Sequence, residues 1–451
     1  MPLVVCVCAI LVPRYHTGVC PYIHASKPPT VKLFLGEVRA NERPCRGQTG
    51  PVLGDAAAAD LLGVRLRFPH KHGQASFLGR QSASRALHVV KCRCQPCLLT
   101  SAREDAAYGN ADGKGEEPVD HLSLEGDAYK IGRQHGESLR SLIRSALGPQ
   151  VVCTDREAFQ SRAVLERRAE FLRTRFPDLM SEIEGIADGA DVPLEEILRY
   201  NLSPLPSACS NVAFVSADGP LLGHVNDDRE HRFDVAFRVR YGTGRELLHI
   251  GIAGSVGTAA ALNSAGLAVS HAAARSAGLT NPQAHFNLPV LRRALVDACD
   301  HCQEARSFLL AHSFSSGADN IIAIDKSGAA FIAEKLPTAV AFREPQGEAI
   351  YCTGRALDQE IRRRVGQEIY EKEAPDVHEL IGRERYFQAV IDRNKGRLSF
   401  HLMAAVLCHA EEGAAVCNDL SNWATILLPH QFQAFVAGRP PGPNTFEPLH
   451  R

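Results

Sequence analysis

From residue 118 onward, apolar positions recur first with the period of helices and then with that of strands. Val119 to Leu124 reads as a short strand. Ala128 to Leu147 reads as a helix with Ile131, Leu139, Leu142 and Ile143 on one face. Residues 155–175 form a charged amphipathic helix, and Pro177-Asp178 opens another with Met180, Ile183 and Ile186 facing inward. Asp191-Val192-Pro193-Leu194 repeats that start signal. Beyond Cys209 the pattern turns to strands over 210–216, 220–226, 233–241, 246–252, 257–263 and 266–271. A helix follows over 289–311, then strands near 319–325 and 328–335, then a helical segment over 375–412. Ala424 to Leu428 and Gln433 to Val436 read as a closing hairpin. Helices, then antiparallel strands, then helices and strands again make an α+β layout.

Before residue 117 no such period is sustained. Segments such as Asn41-Glu42-Arg43-Pro44-Cys45 and Gly109-Asn110-Ala111-Asp112-Gly113 mix Pro, Gly, Arg, Cys and Ala. Residues 1–116 are therefore expected to be a disordered extension ahead of one domain over 118–451. Lys and Arg total 50 against 51 Asp and Glu in 451 residues, a balance that points to neither a nucleic-acid nor a membrane partner. No apolar run reaches the roughly 18 residues a membrane helix needs. Met1 to Val12 is apolar like the middle of a secretory signal, but no basic segment precedes it. Of the 14 cysteines, 7 lie before residue 98 and the rest are scattered, which suits reduced thiols in a cytoplasmic setting, with secretion the alternative.

One cysteine stands apart. In Ser207-Ala208-Cys209-Ser210-Asn211, Cys209 sits between small residues, after Pro204 and Pro206 and at the head of a strand. Gly223-His224-Val225-Asn226-Asp227-Asp228 and Asn263-Ser264-Ala265-Gly266-Leu267 follow it. That order points to a cysteine that becomes an amino terminus by self-cleavage between Ala208 and Cys209. The bland reading, a buried core cysteine, is the commoner fate of free thiols. Cys299-Asp300-His301-Cys302 would place two thiols at i and i+3 of a helix, and Cys92, Cys94 and Cys97 cluster upstream. Without a partner pair at zinc-like spacing, no metal is expected.

Several segments together resemble the peptidase C45 family, the acyl-coenzyme A:6-aminopenicillanate acyltransferase-like members of the N-terminal nucleophile hydrolases. Gly126 to Gly136 is similar to the family's opening element, and Phe176-Pro177-Asp178-Leu179 with Glu182 to Ala190 to the helix before its processing site. Cys209 matches the nucleophile, Asn226-Asp227-Asp228 the Asn-x-Asp element, and Asn263 to Val269 the Asn-Ser-x-Gly-Leu turn. Asn320 to Asp325, with Glu334, resembles a later strand pair. The resemblance implies a four-layer αββα sandwich, cut into an α fragment (118–208) and a β fragment (209–451) that stay associated. It implies Cys209 as nucleophile, with its freed amine as the base. Asp228, nineteen residues on, orients that amine, and Asn226 braces the hairpin.

Such an enzyme acts on amide bonds of small N-acyl compounds. It needs no metal or organic cofactor, and coenzyme A enters only as an acyl donor. A terminal amine titrates near 7.7–8.0, close to working pH, and a thiolate attacks an amide or thioester to give an acyl-enzyme. Relatives carry Gly before and Thr after the nucleophile where this chain has Ala208 and Ser210. At Cys352-Thr353-Gly354-Arg355 many members have Thr-Asn-His, so Gly354 replaces the Asn that helps hold the oxyanion. Losing such a donor costs about a hundred- to thousandfold in turnover. Arg355, His271 or a backbone amide would have to substitute. Arg385 falls near the family's pocket arginine. The rivals are a member that keeps the fold without activity and a cysteine-rich metal or redox protein.

Overall fold

The computed structural model describes residues 119–147, 162–203, 208–216, 218–227, 233–274, 279–366 and 375–449. The extension read over 1–116, with Cys92, Cys94 and Cys97, lies outside them, as does Asp228.

A short strand, β1 (Asp120–Gly126), leads into helices α1 (Ala128–Ser138), α2 (Arg140–Ala146), α3 (Arg162–Arg175), α4 (Pro177–Ala190) and α5 (Leu194–Leu202). Six strands follow: β2 (Ala208–Ser216), β3 (Gly219–Asp227), β4 (Asp234–Tyr241), β5 (Glu246–Ile252), β6 (Ala260–Asn263) and β7 (Leu267–Ala274). Helices α6 (Leu288–Ala298) and α7 (Cys302–Ala311) precede β8 (Ala318–Asp325), β9 (Ala330–Leu336), β10 (Ala339–Arg343) and β11 (Ala349–Cys352). The chain closes with α8 (Gln359–Val365), α9 (Pro375–Arg393), α10 (Phe400–Leu407), β12 (Ser421–Leu428), β13 (Gln433–Ala437) and β14 (Glu447–Pro448). None of the helices described is long and apolar enough to cross a membrane.

Two sheets form, one of eight strands in the order β1-β4-β5-β6-β7-β8-β9-β10, the other of six in the order β11-β2-β3-β12-β13-β14. Alternation along each strand sends its side chains to two different cores. In β4, Val235, Phe237 and Val239 face α1 through α7, whereas Ala236 faces the other sheet. In β2, Cys209 and Ala213 face the large sheet, whereas Val212 and Phe214 face α9 and α10. Three stacked cores between helices, sheet, sheet and helices define a four-layer αββα sandwich, the fold expected from the sequence.

Three expected helical stretches are broken, the one over 375–412 between Arg393 and Phe400, where α9 ends and α10 begins. The stretch 128–147 is interrupted at Leu139, which ends α1 and starts α2. The stretch 289–311 is interrupted at Cys299–His301. There the Cys299 carbonyl accepts from Asn263 Nδ2 at 2.7 Å and from Arg245 Nη2 at 3.1 Å, while His301 caps α7. Cys299 and Cys302 thus end one helix and begin the next rather than sharing a face. β10 and β11 had no counterpart in the sequence reading.

The glycines of the opening element have a packing reason. A Cβ on Gly132 would lie 2.0 Å from Glu182 O, and one on Gly136 2.4 Å from Ile186 O. From the other side, a Cβ on Gly185 would lie 2.2 Å from Tyr129 O and one on Gly189 2.2 Å from Arg133 O. α1 and α4 touch backbone to backbone, which only glycine allows. Gly132→Ala should force them apart at a cost of about 1–3 kcal/mol, lowering Tm by several degrees. An unchanged melting curve would contradict the close crossing.

Candidate active site

Cys209 is the second residue of β2 and lies directly opposite Asn226 of β3. Its sulfur, buried between the sheets, donates to Asn226 Oδ1 at 3.5 Å and lies 4.0 Å from His271 Nε2. His271, on β7, turns its other ring nitrogen to Asp319 Oδ1 of β8 at 3.0 Å. Arg292 of α6 donates to the second oxygen, Asp319 Oδ2, at 2.7 Å and to Thr258 O at 2.9 Å. Four side chains from β2, β7, β8 and α6 therefore form one line from thiol to guanidinium.

Electrostatics fixes the protons along that line. Burial alone would raise the Asp319 pKa, but His271 and Arg292 beside it bring it below the usual aspartate value. Burial likewise lowers the Arg292 pKa, opposed mainly by Asp319, yet a guanidinium stays charged at working pH. With both Asp319 oxygens accepting, His271 Nδ1 carries hydrogen and Nε2 presents a lone pair to Cys209.

Around this line lies a polar network. Asn211 of β2 donates from Nδ2 to His271 O at 2.7 Å, and its Oδ1 meets His224 Nδ1 at 2.8 Å and Ser270 Oγ at 2.7 Å. His224 stacks on His271 with ring centroids 5.9 Å apart, and burial, then the neighbouring His271 and Arg292, push its pKa well down. It is neutral, so Asn211 holds the His271 backbone without adding charge.

On the side of the bond between Ala208 and Cys209, Asp227 pairs across the strands with Ala208. Arg383 of α9 donates from Nη1 to Asp227 Oδ2 at 2.7 Å and to Ser210 Oγ at 2.9 Å. Ser421 donates to Asp227 Oδ1 at 2.5 Å, and Glu379 also binds Arg383. Arg385, two residues along the same helix, is exposed. The helical period turns Arg383 toward β2 and β3 and Arg385 away.

Arg355 is bound to Glu384 through Nη2 at 2.5 Å and Nε at 3.1 Å. Thr353 Oγ1 donates to the same carboxylate at 2.9 Å. Asn320 Nδ2 holds the carbonyls of Thr353 and Arg355 at 2.8 and 2.9 Å. A Cβ on Gly354 would stand 3.1 Å from Ala273 O, so the turn lies tight against β7. Arg355 is a tie between the β11 turn and α9.

The structure thus brings together Cys209, Asn226 and His271. It leaves Arg355 in a pair with Glu384 and Arg385 at the surface, and the Ala208 side chain lies outside the described atoms. The sequence reading passed over Asp319, Arg292 and Arg383. Of the family-like motifs, Asn263 is a brace: its Nδ2 binds Val296 O and Cys299 O at 2.8 and 2.7 Å, and its Oδ1 accepts from Leu267 N at 3.0 Å. Glu334 accepts from the backbone amides of Leu357 and Asp358. Among the described residues no group of three or more His, Cys, Asp or Glu is placed to hold a metal. Burial, chiefly, raises the Cys299 pKa to about 12 and Cys302 higher, which keeps both as thiols.

Residues 217–374 match the sequence model of the acyl-coenzyme A:6-aminopenicillanic acid acyl-transferase family. The matched span is about a third of the chain and begins eight residues after Cys209. Among solved structures it is similar to a mutant conjugated bile acid hydrolase from Clostridium perfringens at 10% identity, over 53% of this chain and 91% of that one, with a TM-score of 0.36. It is similar to a Caenorhabditis elegans N-acylethanolamine-hydrolyzing acid amidase ortholog at 13% identity, over 49% and 93%, with a TM-score of 0.35. It is also similar to a penicillin V acylase from Agrobacterium tumefaciens at 11% identity, over 51% and 83%, with a TM-score of 0.35. The layers described above, rather than these scores, define the fold.

Two stability tests follow from these buried charges. Asp227→Ala leaves Arg383 with Glu379 as its one remaining carboxylate and takes the acceptor from buried Ser421, so it should cost about 1–3 kcal/mol, part of it regained in the Asp227→Ala/Arg383→Met double variant. Denaturant titration of both reads this, and equal losses would refute it. Asp319, with a lowered folded pKa, contributes stability that is complete above about pH 4 and fades as acid titrates it below its unfolded value. Asp319→Asn should flatten that acid limb of a stability–pH curve.

Proposed function

We propose that this chain, about a third of which matches the acyl-transferase family's sequence model, is a self-processing cysteine amidohydrolase or acyltransferase acting on small N-acyl compounds. The observation that carries this reading is the position of Cys209: its sulfur lies between the two sheets, at the start of β2, next to Asn226 and within reach of an oriented imidazole. Cleavage between Ala208 and Cys209 would free an amine on the same residue as the thiol. That amine then takes the thiol proton, the thiolate attacks an amide carbonyl, and water or a second amine resolves the acyl-enzyme. Asp228 is assigned to orienting the ammonium form of this amine. Coenzyme A would take part only as the thioester donor of an acyl group, and neither metal nor organic cofactor is invoked.

The two fragments would stay together after the cut. β1 lies before the cut and pairs in parallel with β4 from beyond it. α1 to α5 share one hydrophobic core with α6 and α7. Separating them would expose that core, at roughly 25 cal/mol per Å² of apolar surface.

A second reading, a member that keeps the fold without turnover, draws support from the Arg355–Glu384 pair, which occupies the guanidinium next to Gly354. Intact mass and amino-terminal sequencing of the expressed protein separate the readings. The first expects a chain starting at Cys209 in the wild type, an uncut Cys209→Ala variant, and release of acid from simple N-acyl amides without added coenzyme A. An uncut wild type would sink it; a cut but inert wild type would favour the second reading.

A further inference from the structure

In the uncut chain the nitrogen of Cys209 belongs to a peptide bond, and its lone pair is delocalised into the Ala208 carbonyl. It cannot take the proton of its own thiol, so the first cleavage needs a different base from the one that serves later turnovers. Asn226, the nearer neighbour at 3.5 Å, offers an amide oxygen, which accepts a hydrogen bond but has no useful basicity. The imidazole of His271 offers an sp² lone pair on Nε2 at 4.0 Å from the sulfur. Its Nδ1 is committed to Asp319, and Asp319 is anchored by Arg292. A histidine kept only for packing would not need a buried carboxylate on one ring nitrogen and a thiol at the other.

We infer that His271, oriented by Asp319 and Arg292, is the proton acceptor and donor for Cys209 in self-cleavage. The inference rests on reading Cys209 as the self-cleaving nucleophile. The thiol proton passes to Nε2 as the sulfur bonds to the Ala208 carbonyl carbon. The C–N bond then breaks, and the imidazolium returns that proton to the departing Cys209 nitrogen. A water molecule hydrolyses the resulting thioester, leaving an Ala208 carboxylate, a free thiol and a free amine. Asp319 and Arg292 act through His271 as positioning residues: the carboxylate fixes the tautomer and balances the imidazolium, and the guanidinium keeps the carboxylate ionised.

The test follows freshly translated full-length chains on denaturing gels, with amino-terminal sequencing of the products. His271→Gln should slow the appearance of the Cys209 terminus by about a hundredfold or more, the scale of a lost general base. Asp319→Asn should slow it by less. Added imidazole should restore part of the rate to His271→Gly, which a packing role would not allow. Cleavage of His271→Gln at the wild-type rate, or a slow His271→Gly that imidazole leaves unmoved, overturns the inference while leaving Cys209 as nucleophile. An uncut wild type removes both. If His271→Gln does not melt cooperatively, Asp319→Asn carries the decision, and a wild-type rate there overturns the inference.

Discussion

A carboxylate shut away from water must find its counter-charge inside the protein, and Asp319 is the clearest case in this chain. Its two oxygens are taken by Arg292 and by His271, from a helix above the sheet and from the neighbouring strand. Removing the charge would leave both partners unsatisfied in a low-dielectric interior, where a lone ion costs several kcal/mol. That requirement fixes the rotamer of His271, and the rotamer aims Nε2 at Cys209. The geometry at the thiol is thus a consequence of charge balance one residue further in.

Similar pairs recur between other elements. Glu182 of α4 takes Arg293 of α6, Asp227 of β3 takes Arg383 of α9, and Glu384 of α9 takes Arg355 after β11. Such pairs add little net stability relative to well-packed apolar residues, yet each tolerates only one placement of its element. α6 carries two adjacent arginines that reach opposite ways, Arg293 toward the helix layer and Arg292 toward Asp319. This helix therefore ties the outer layer to the strand residues around Cys209. The glycine-to-glycine contact of α1 with α4 sets the other helix spacing by sterics alone.

Much of the fold was legible because it follows from short-range rules. Strand alternation located β2 to β9 to within a few residues, and the start signal at Pro177 located α4. The breaks were not legible. Apolar residues continue at helical spacing from Leu295 through Cys299, Cys302 and Ala305 to Phe308, all in one core, while the interruption comes from Asn263 and Arg245 binding the Cys299 carbonyl. β10 is a short edge strand of half-buried residues, with no strong alternation to reveal it. Gly132 and Gly185 looked like elements of a motif in one dimension, and their reason lies in contact between helices far apart in sequence.

The sequence by itself determined the α+β order of elements and the hairpin after Cys209, through local period and turn chemistry, while the expected layers and the candidacy of Cys209 came from motif order, through the resemblance. Only the tertiary structure decided what stands at the thiol. His271, Arg292 and Asp319 come from three elements, and their meeting depends on strand register and on the seating of α6, neither of which leaves a local trace. The same holds on α9, where about half a turn of helical phase buries Arg383 and exposes Arg385. Interactions between neighbours in the chain write themselves into the pattern of residues, whereas charge pairing across layers depends on where folding places the backbone.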